Sequence, residues 1–287
     1  FLLILLNFST VCADDVDNEV DFEDTIEVTA SNVSELPKTN SRRYIVYDRI
    51  SKSMIIGKNE DIKSAMASTT KIMTTIVILE KADLNETVTV SAKAGGIGGS
   101  RLGLKRGDKA SVRDLLYGLM LRSGNDAAVA LAEHVGGSVK GFAKLMNEKA
   151  IELGLTNTHF ITPHGLDDAN HYTTALELAK LTDYAMDNET FAKIVGTKST
   201  TIYINNQPRQ INNTNELLGV LNGVVGVKTG FTNNAGRCLV TETKRNNMDI
   251  ITIVLGADTK KDRTKDSVNL IEYTFSKYKM YNLEEQI

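Results

Sequence analysis

The chain has 287 residues, 41% of them hydrophobic, and a formal net charge of −3. That length suits one large domain or two small ones with an ample core. So small an excess charge gives no electrostatic footprint for nucleic acid, and beyond the N-terminus no run approaches the ~20 apolar residues of a membrane span.

Taken in chain order, FLLILLNFSTVCA (residues 1–13) reads as a partial signal peptide. It supplies the apolar core and the cleavage region, with Val11-Cys12-Ala13 as the small-residue site, but no Met or basic leader. A lipid anchor on Cys12 is the alternative, and the bulk of Val11 weighs against it. Cleavage near Ala13 would place the protein outside the cytoplasm with Cys238 as its one remaining cysteine. No disulfide framework is then available, and Cys238, in the strand-like RCLVTET, reads as a buried structural thiol. Residues 14–40 are acidic, polar and without period, as expected of a flexible linker. The globular part, 41–287, starts near Ser41.

RRYIVYDR and SMIIG, separated by Ile50-Ser51-Lys52, predict two paired strands. Ala67 to Ala82 predicts a buried helix. SVRDLLYGLML opens with Ser111 and Asp114 as a capping box, and DAAVALAEHV, GFAKLMNEKAIELGL and TTALELAKLTDYAM continue as amphipathic helices. From Thr200 the pattern turns to strands: TIYI, VVGVKTG, RCLVTET and DIITIVLGA, closed by a last helix, DRTKDSVNLIEYTFSKY. Strands first and last, with helices between, predict an α+β fold. One sheet is assembled from both ends of the chain, with an all-α subdomain inserted at roughly 83–200.

Three short motifs carry chemistry: Ser68-x-x-Lys71, Ser123-Gly124-Asn125 and Lys228-Thr229-Gly230. If Ser68 opens a helix, Lys71 lies one turn later on the same face, within reach of the hydroxyl. The helix N-terminus also favours negative charge developing there. Serine needs a base to become a nucleophile, and lysine is a base only when neutral. Burial and a second cation, for which Lys228 is the candidate, both favour the neutral amine. Ser123, on a turn where Gly124 permits a tight backbone, can relay a proton, and the Asn125 amide can bind a substrate amide. Taken alone, Ser123 reads as a plain helix cap for DAAVALAEHV. Lys228 supplies positive charge, Thr229 a hydroxyl for a carboxylate, and Gly230 a strand edge against which a substrate can lie. The Phe231 and Ser68 amides together can form an oxyanion hole. Each motif alone is weak: Ser276-x-x-Lys279 and Ser267-Val268-Asn269 match two of the patterns, but in the wrong order. The ordered set of three decides.

The blocks MASTTKIMTTIVILE, LKRGDKASVRDLLYGLMLRSGNDAAVALAEHVGG, THFITPHGLDDANHYTTALELAKL and GVVGVKTGFTNNAGRCLVTETKR resemble the D-alanyl-D-alanine carboxypeptidases, the low-molecular-mass penicillin-binding proteins. The similarity runs from about Arg43 to about Tyr278. It implies a five-stranded antiparallel sheet flanked by helices, with a helical subdomain. It also implies Ser68 as acylated nucleophile, Lys71 as general base, Ser123 and Asn125 as the second site element, and Lys228 and Thr229 as holders of a terminal carboxylate. The implied reaction removes the last D-alanine from a peptidoglycan stem pentapeptide, with β-lactams as covalent inhibitors and no cofactor or metal. Many members carry a further β-rich domain and a membrane-anchoring helix. This chain ends before either, so membrane attachment stays open.

Weaker features read plainly. His164, in TPHGLDDANHYTT, is expected to order a loop near the cleft rather than act in catalysis. His134, His159 and His171 lack metal-ligand spacing. Gly95 to Gly99 predicts a flexible loop near the cleft. Arg263 reads as a solvent-facing helix residue, with carboxylate binding as the alternative. A β-lactamase would need a hydrolytic glutamate; Glu177 and Glu189 lie on predicted helices without the E-x-x-L-N pattern. A non-catalytic wall-binding module is the other rival, and the complete set of acyl-transfer residues opposes it.

Overall fold

A computed structural model describes residues 35–279. The signal reading and the linker up to residue 34 lie outside them. Five strands form the main sheet: β1 (Arg43–Asp48), β2 (Ser53–Lys58), β7 (Val224–Thr232), β8 (Gly236–Arg245) and β9 (Met248–Ala257), in the order β2-β1-β9-β8-β7. All its pairings are antiparallel. The N-terminal hairpin thus joins the sheet through β1 against β9, as the strands-first-and-last pattern predicts. β8 and β9 are buried along nearly their whole length because the sheet is covered on both faces.

The helices are α1 (Lys71–Lys81), α2 (Ala92–Gly96), α3 (Val112–Leu121), α4 (Asn125–Gly136), α5 (Val139–Glu152), α6 (Ala175–Met186), α7 (Glu189–Val195) and α8 (Lys260–Lys277). α1 is buried over most of its length and touches α3, α4, α5, α6 and α7. A helix wrapped on all sides needs apolar residues all round, as Ile72, Met73, Ile76, Val77 and Ile78 provide. Ser111 caps α3, accepting from the Asp114 amide at 3.0 Å and donating to its carboxylate at 2.6 Å. α8 lies on β8 and β9. No described helix is long and apolar enough to cross a membrane.

Two small ribbons also lie between β2 and β7: β3 (Thr87–Thr89) with β4 (Lys109–Ser111), and β5 (Ser199–Ile204) with β6 (Gln207–Asn212). TIYI is therefore a strand, but one paired with QPRQIN rather than with the main sheet. The turn between them is Asn205-Asn206, both at positive φ (52° and 59°), as a two-residue hairpin turn requires.

Arg263 corrects an expectation. It is 1% exposed, not solvent-facing, and its Nη2 lies 3.4 Å from Glu216 Oε2. The face of α8 that carries it packs onto the sheet, and Glu216 supplies the opposite charge that burial demands. Cys238 is fully buried on β8, as its alternating context predicts.

Candidate active site

Ser68 sits in a 3-10 turn, Ala67–Thr70, that leads directly into α1. The turn is held locally by Thr69 Oγ1 donating to Met66 O (2.6 Å) and Thr70 Oγ1 donating to Ala67 O (2.8 Å). Two glycines seat it against its neighbours. A Cβ on Gly230 of β7 would stand 3.0 Å from the Ser68 nitrogen. One on Gly165, whose φ is +89°, would fall 1.9 Å from Ala67 O. The strand and the PHG loop can approach the turn this closely only without side chains there. Among the described residues β7 is an edge strand, pairing only with β8, and its Gly230 borders the Ser68 amide.

Lys71 opens α1 one turn later and is fully buried. Its Nζ lies 2.7 Å from Ser68 Oγ, 2.8 Å from Asn125 Oδ1, 3.0 Å from His164 O and 3.3 Å from Ser123 Oγ. The Asn125 orientation follows from its other end, where Nδ2 donates to Gly98 O at 2.8 Å. Asn125 Oδ1 and His164 O can only accept, so they fix two N–H bonds of the amine. A neutral amine then has one position left, its lone pair, and the short contact to Ser68 Oγ is where that lone pair can accept a hydrogen bond from the hydroxyl. The same contact in a charged amine is a third N–H donated to Ser68. The site therefore accommodates both protonation states of Lys71 without rearrangement.

Ser123 is not the cap of α4. That place belongs to Gly124, without a side-chain cap, and Ser123 turns its hydroxyl toward Lys71 instead. The tight backbone is also Ser123's own: it has φ 58°, whereas Gly124 has an ordinary φ of −60°. Gly124 serves by its size, since a Cβ would stand 3.0 Å from Asp126 Oδ1 and 3.1 Å from Leu102 Cγ. Asp126 accepts from the amides of Leu102, Gly103 and Leu104, each at 2.9 Å, and so fixes the loop beside the cluster.

Lys228 is buried on β7, on the same strand face as Gly230, with Nζ donating to Thr229 O at 2.9 Å. Thr229 Oγ1 stands 2.8 Å from Thr214 Oγ1. Phe231 is packed under Arg237, whose guanidinium carbon is 3.9 Å from the ring centre. The structure thus binds Ser68, Lys71, Ser123 and Asn125 into one hydrogen-bonded cluster. The Lys228-Thr229-Gly230 strand lies along the turn that carries Ser68. The decoy serines have other employment: Ser267 and Ser276 each donate to a carbonyl of α8 itself, Arg263 O and Tyr273 O.

A family model described as D-alanyl-D-alanine carboxypeptidase (Peptidase_S11) matches residues 29–259. The chain belongs to this family. It is 37% identical to the D-alanyl-D-alanine carboxypeptidase DacF of Bacillus subtilis over 83% of its own length, and 37% identical to that of Streptomyces sp. K15 over 76%. Those alignments cover 63% of the first relative and 81% of the second. The chain thus spans somewhat under two thirds of the DacF length. Among solved structures, the Streptomyces K15 DD-transpeptidase superposes with a TM-score of 0.79 at 34% identity, covering 84% of this chain and 99% of the other. The D-alanyl-D-alanine carboxypeptidase DacD of Francisella tularensis gives 0.80 at 30% identity, covering 87% and 73%.

In this carboxypeptidase-family chain, several residues beyond the three motifs shape the site. His164 contributes its carbonyl to Lys71, while its ring Nδ1 accepts from the Leu166 amide at 3.1 Å. Burial, then the Lys71 charge, push the His164 pKa down to about 3, so the ring stays neutral near pH 7. His171 Nδ1 accepts from the Ile161 amide, so its Nε2 carries the proton and donates to Thr70 Oγ1 at 2.7 Å. Burial lowers its pKa to about 4. That histidine ties the turn that carries Ser68 to the segment at Ile161 and Thr162. The glycine-rich run begins in α2 and then borders the cluster through Gly98 O. Glu177 is occupied elsewhere, accepting from the Asn157 amide at 2.8 Å and the Thr158 hydroxyl at 2.5 Å.

Proposed function

We propose that the protein is a serine-type D-Ala-D-Ala carboxypeptidase that removes the terminal D-alanine from peptidoglycan stem pentapeptides. The observation that carries this reading is the Lys71 amine at 2.7 Å from Ser68 Oγ, with two of its remaining bonds committed to obligate acceptors. Lys71, as the neutral amine, takes the Ser68 proton while Oγ attacks the carbonyl carbon of the penultimate residue. The Ser68 and Phe231 amides receive the developing oxyanion. Ser123, within reach of the same amine, passes the proton to the departing nitrogen. Free D-alanine leaves with that proton on its nitrogen as a neutral amine, and water, with Lys71 again as base, cleaves the Ser68 ester and returns a proton to Ser68 Oγ. Asn125 binds a backbone amide of the peptide, and Lys228, Thr229 and Gly230 receive its terminal carboxylate.

β-Lactams mimic the peptide and stop at the same ester, which makes them covalent inhibitors. No step calls for a metal or cofactor. Wall peptides lie outside the cytoplasm, in keeping with export by residues 1–13 and cleavage near Ala13. The linker (14–40) would tether a catalytic domain comprising 41–287.

Wild-type protein is expected to release D-alanine from diacetyl-Lys-D-Ala-D-Ala, measured by a coupled D-amino-acid oxidase assay. Peptide binding without D-alanine release would make the protein a wall-binding module, and fast nitrocefin turnover a β-lactamase. Because the solved K15 relative is a DD-transpeptidase, transfer to an added amine is the second reading. A transpeptide product exceeding hydrolysis at millimolar acceptor would favour it.

A further inference from the structure

A second cavity, of about 320 Å³, is lined by Arg101, Arg122 and Arg209 together with Leu102, Gln210, Ile211 and Asn212. Every charged residue in its wall is an arginine, in a chain whose net charge is −3. Four of the other arginines have acidic partners: Arg42 with Asp258, Arg49 with four carboxylates, Arg245 with Glu272, and Arg263 with Glu216. Arg101 and Arg122 have none among the described residues. Arg209 gives one N–H to the Leu102 carbonyl, which fixes its fork at the cavity wall. Three like charges around one space repel one another, and an oxyanion among them relieves that repulsion. The planar guanidinium fork is also the side-chain shape that matches a carboxylate in two parallel bonds.

The residues that line the cavity adjoin the catalytic cluster along the chain. Arg122 immediately precedes Ser123. Arg101 follows Ser100, whose carbonyl accepts from the Asn125 amide at 2.7 Å. Beyond Asn212 the chain reaches Thr214, whose amide donates to Leu121 O at 3.0 Å and whose hydroxyl meets Thr229. These links bring the segments that carry the three arginines beside the Ser123-Asn125 and Thr229 parts of the site.

We propose that this three-arginine cavity is a second anion subsite of the cleft, selecting peptides whose departing residue carries a carboxylate beyond the terminal one. The assignment of sides rests on the carboxypeptidase reading above, which places the terminal carboxylate at Thr229. Arg101 and Arg122 are then specificity-determining residues, each donating charge-assisted hydrogen bonds to the additional carboxylate. They take no part in moving the proton.

The test compares two peptides, diacetyl-Lys-D-Ala-D-Ala and diacetyl-Lys-D-Ala-D-Glu. Their turnover by the wild type and by Arg101→Gln/Arg122→Gln gives the ratio of kcat/KM for the two. Calorimetric binding to the Ser68→Ala protein, with and without the same pair of changes, reads the subsite without turnover. The D-Glu to D-Ala ratio is expected to fall roughly tenfold in the double variant, the scale of a lost charge-assisted hydrogen bond. It is expected to fall also with added salt in the wild type, and to be partly restored by Arg101→Lys/Arg122→Lys, which keeps the charge but loses the fork. A ratio unmoved by the double variant, in both turnover and binding, overturns the subsite while leaving D-alanine release intact. Absence of turnover with both peptides, alongside an arginine-dependent binding preference, would overturn the carboxypeptidase reading and leave the subsite standing.

Discussion

Replacing Lys71 with alanine is expected to slow acylation of Ser68 by about 10²–10⁴-fold, the range that a positioned general base contributes. The measurement is the second-order rate of covalent labelling by a fluorescent penicillin, followed by quenched gel sampling. The size of the effect follows from the geometry of the amine. Two of its bonds are held by groups that can only accept, Asn125 Oδ1 and His164 O, and Ser68 Oγ is the closest contact that remains. His164 and His171, the nearby rings, have both lone-pair nitrogens occupied by backbone amides, at Leu166 and Ile161. With pKa values pushed down by burial to about 3 and about 4, neither ring changes charge near neutral pH. Labelling in the Lys71→Ala protein at a rate near that of the wild type would remove Lys71 from the role of base.

The second large effect is on stability and lies away from the chemistry. Arg49, just after β1, is buried and meets Asp183 (3.0 Å) and Asp187 (2.5 Å) of the α6 region, Glu242 (2.5 Å) of β8 and Asp249 (3.0 Å) of β9. Lys52 and Lys244 complete the group at its rim. Burial works against the Arg49 charge, but Glu242 and Asp249 more than offset it and hold its pKa above the ordinary value. Glu242 is pushed up to about 7, first by burial and then by the Asp249 charge, with Lys244 and Arg49 opposing. Arg49→Ala leaves these carboxylates facing one another without their central cation. It is expected to cost about 3–5 kcal/mol in urea unfolding at pH 8, the range for breaking a buried pair by removing one partner.

The pH dependence has a definite sign. A carboxyl whose folded pKa is raised binds its proton more tightly in the folded state. Its contribution is present below the unfolded value of 4.5 and is lost as pH rises toward about 7. Loss of Arg49 raises the folded pKa of Glu242 further, so the variant should lose stability more steeply with pH than the wild type. The deficit at pH 5 should accordingly be smaller than at pH 8. Equal deficits at both would mean that Glu242 does not titrate in this group.

The difference between what the residues announce and what they conceal has physical grounds. The three motifs were legible because each function needs a particular side chain at a fixed local spacing, and the chain order separates the set from its decoys. The sheet built from both ends was legible because β1, β8 and β9 alternate or run apolar, and each is long enough to show a period. The β5–β6 ribbon was half legible: TIYI has the strand pattern, but QPRQIN is polar, and only Asn205-Asn206 marks the turn between them. The His164, Gly98 and Ser100 carbonyls that shape the cluster leave no residue-level trace, since any amino acid supplies a carbonyl. Arg263 misled because a charge on an amphipathic helix normally faces water. Its partner, Glu216, lies far away in sequence, and such pairing is visible only after folding. The Arg49 group was hidden for the same reason, with its four acids drawn from three separate segments.

The central claim is that Ser68 becomes acylated. Wild-type protein and Ser68→Ala, incubated with fluorescent penicillin and then digested for mass spectrometry, give the most direct reading of it. A single adduct on the peptide containing Ser68, absent from the variant, is the result this account predicts; an adduct that persists in Ser68→Ala, or that maps to another residue, would contradict it.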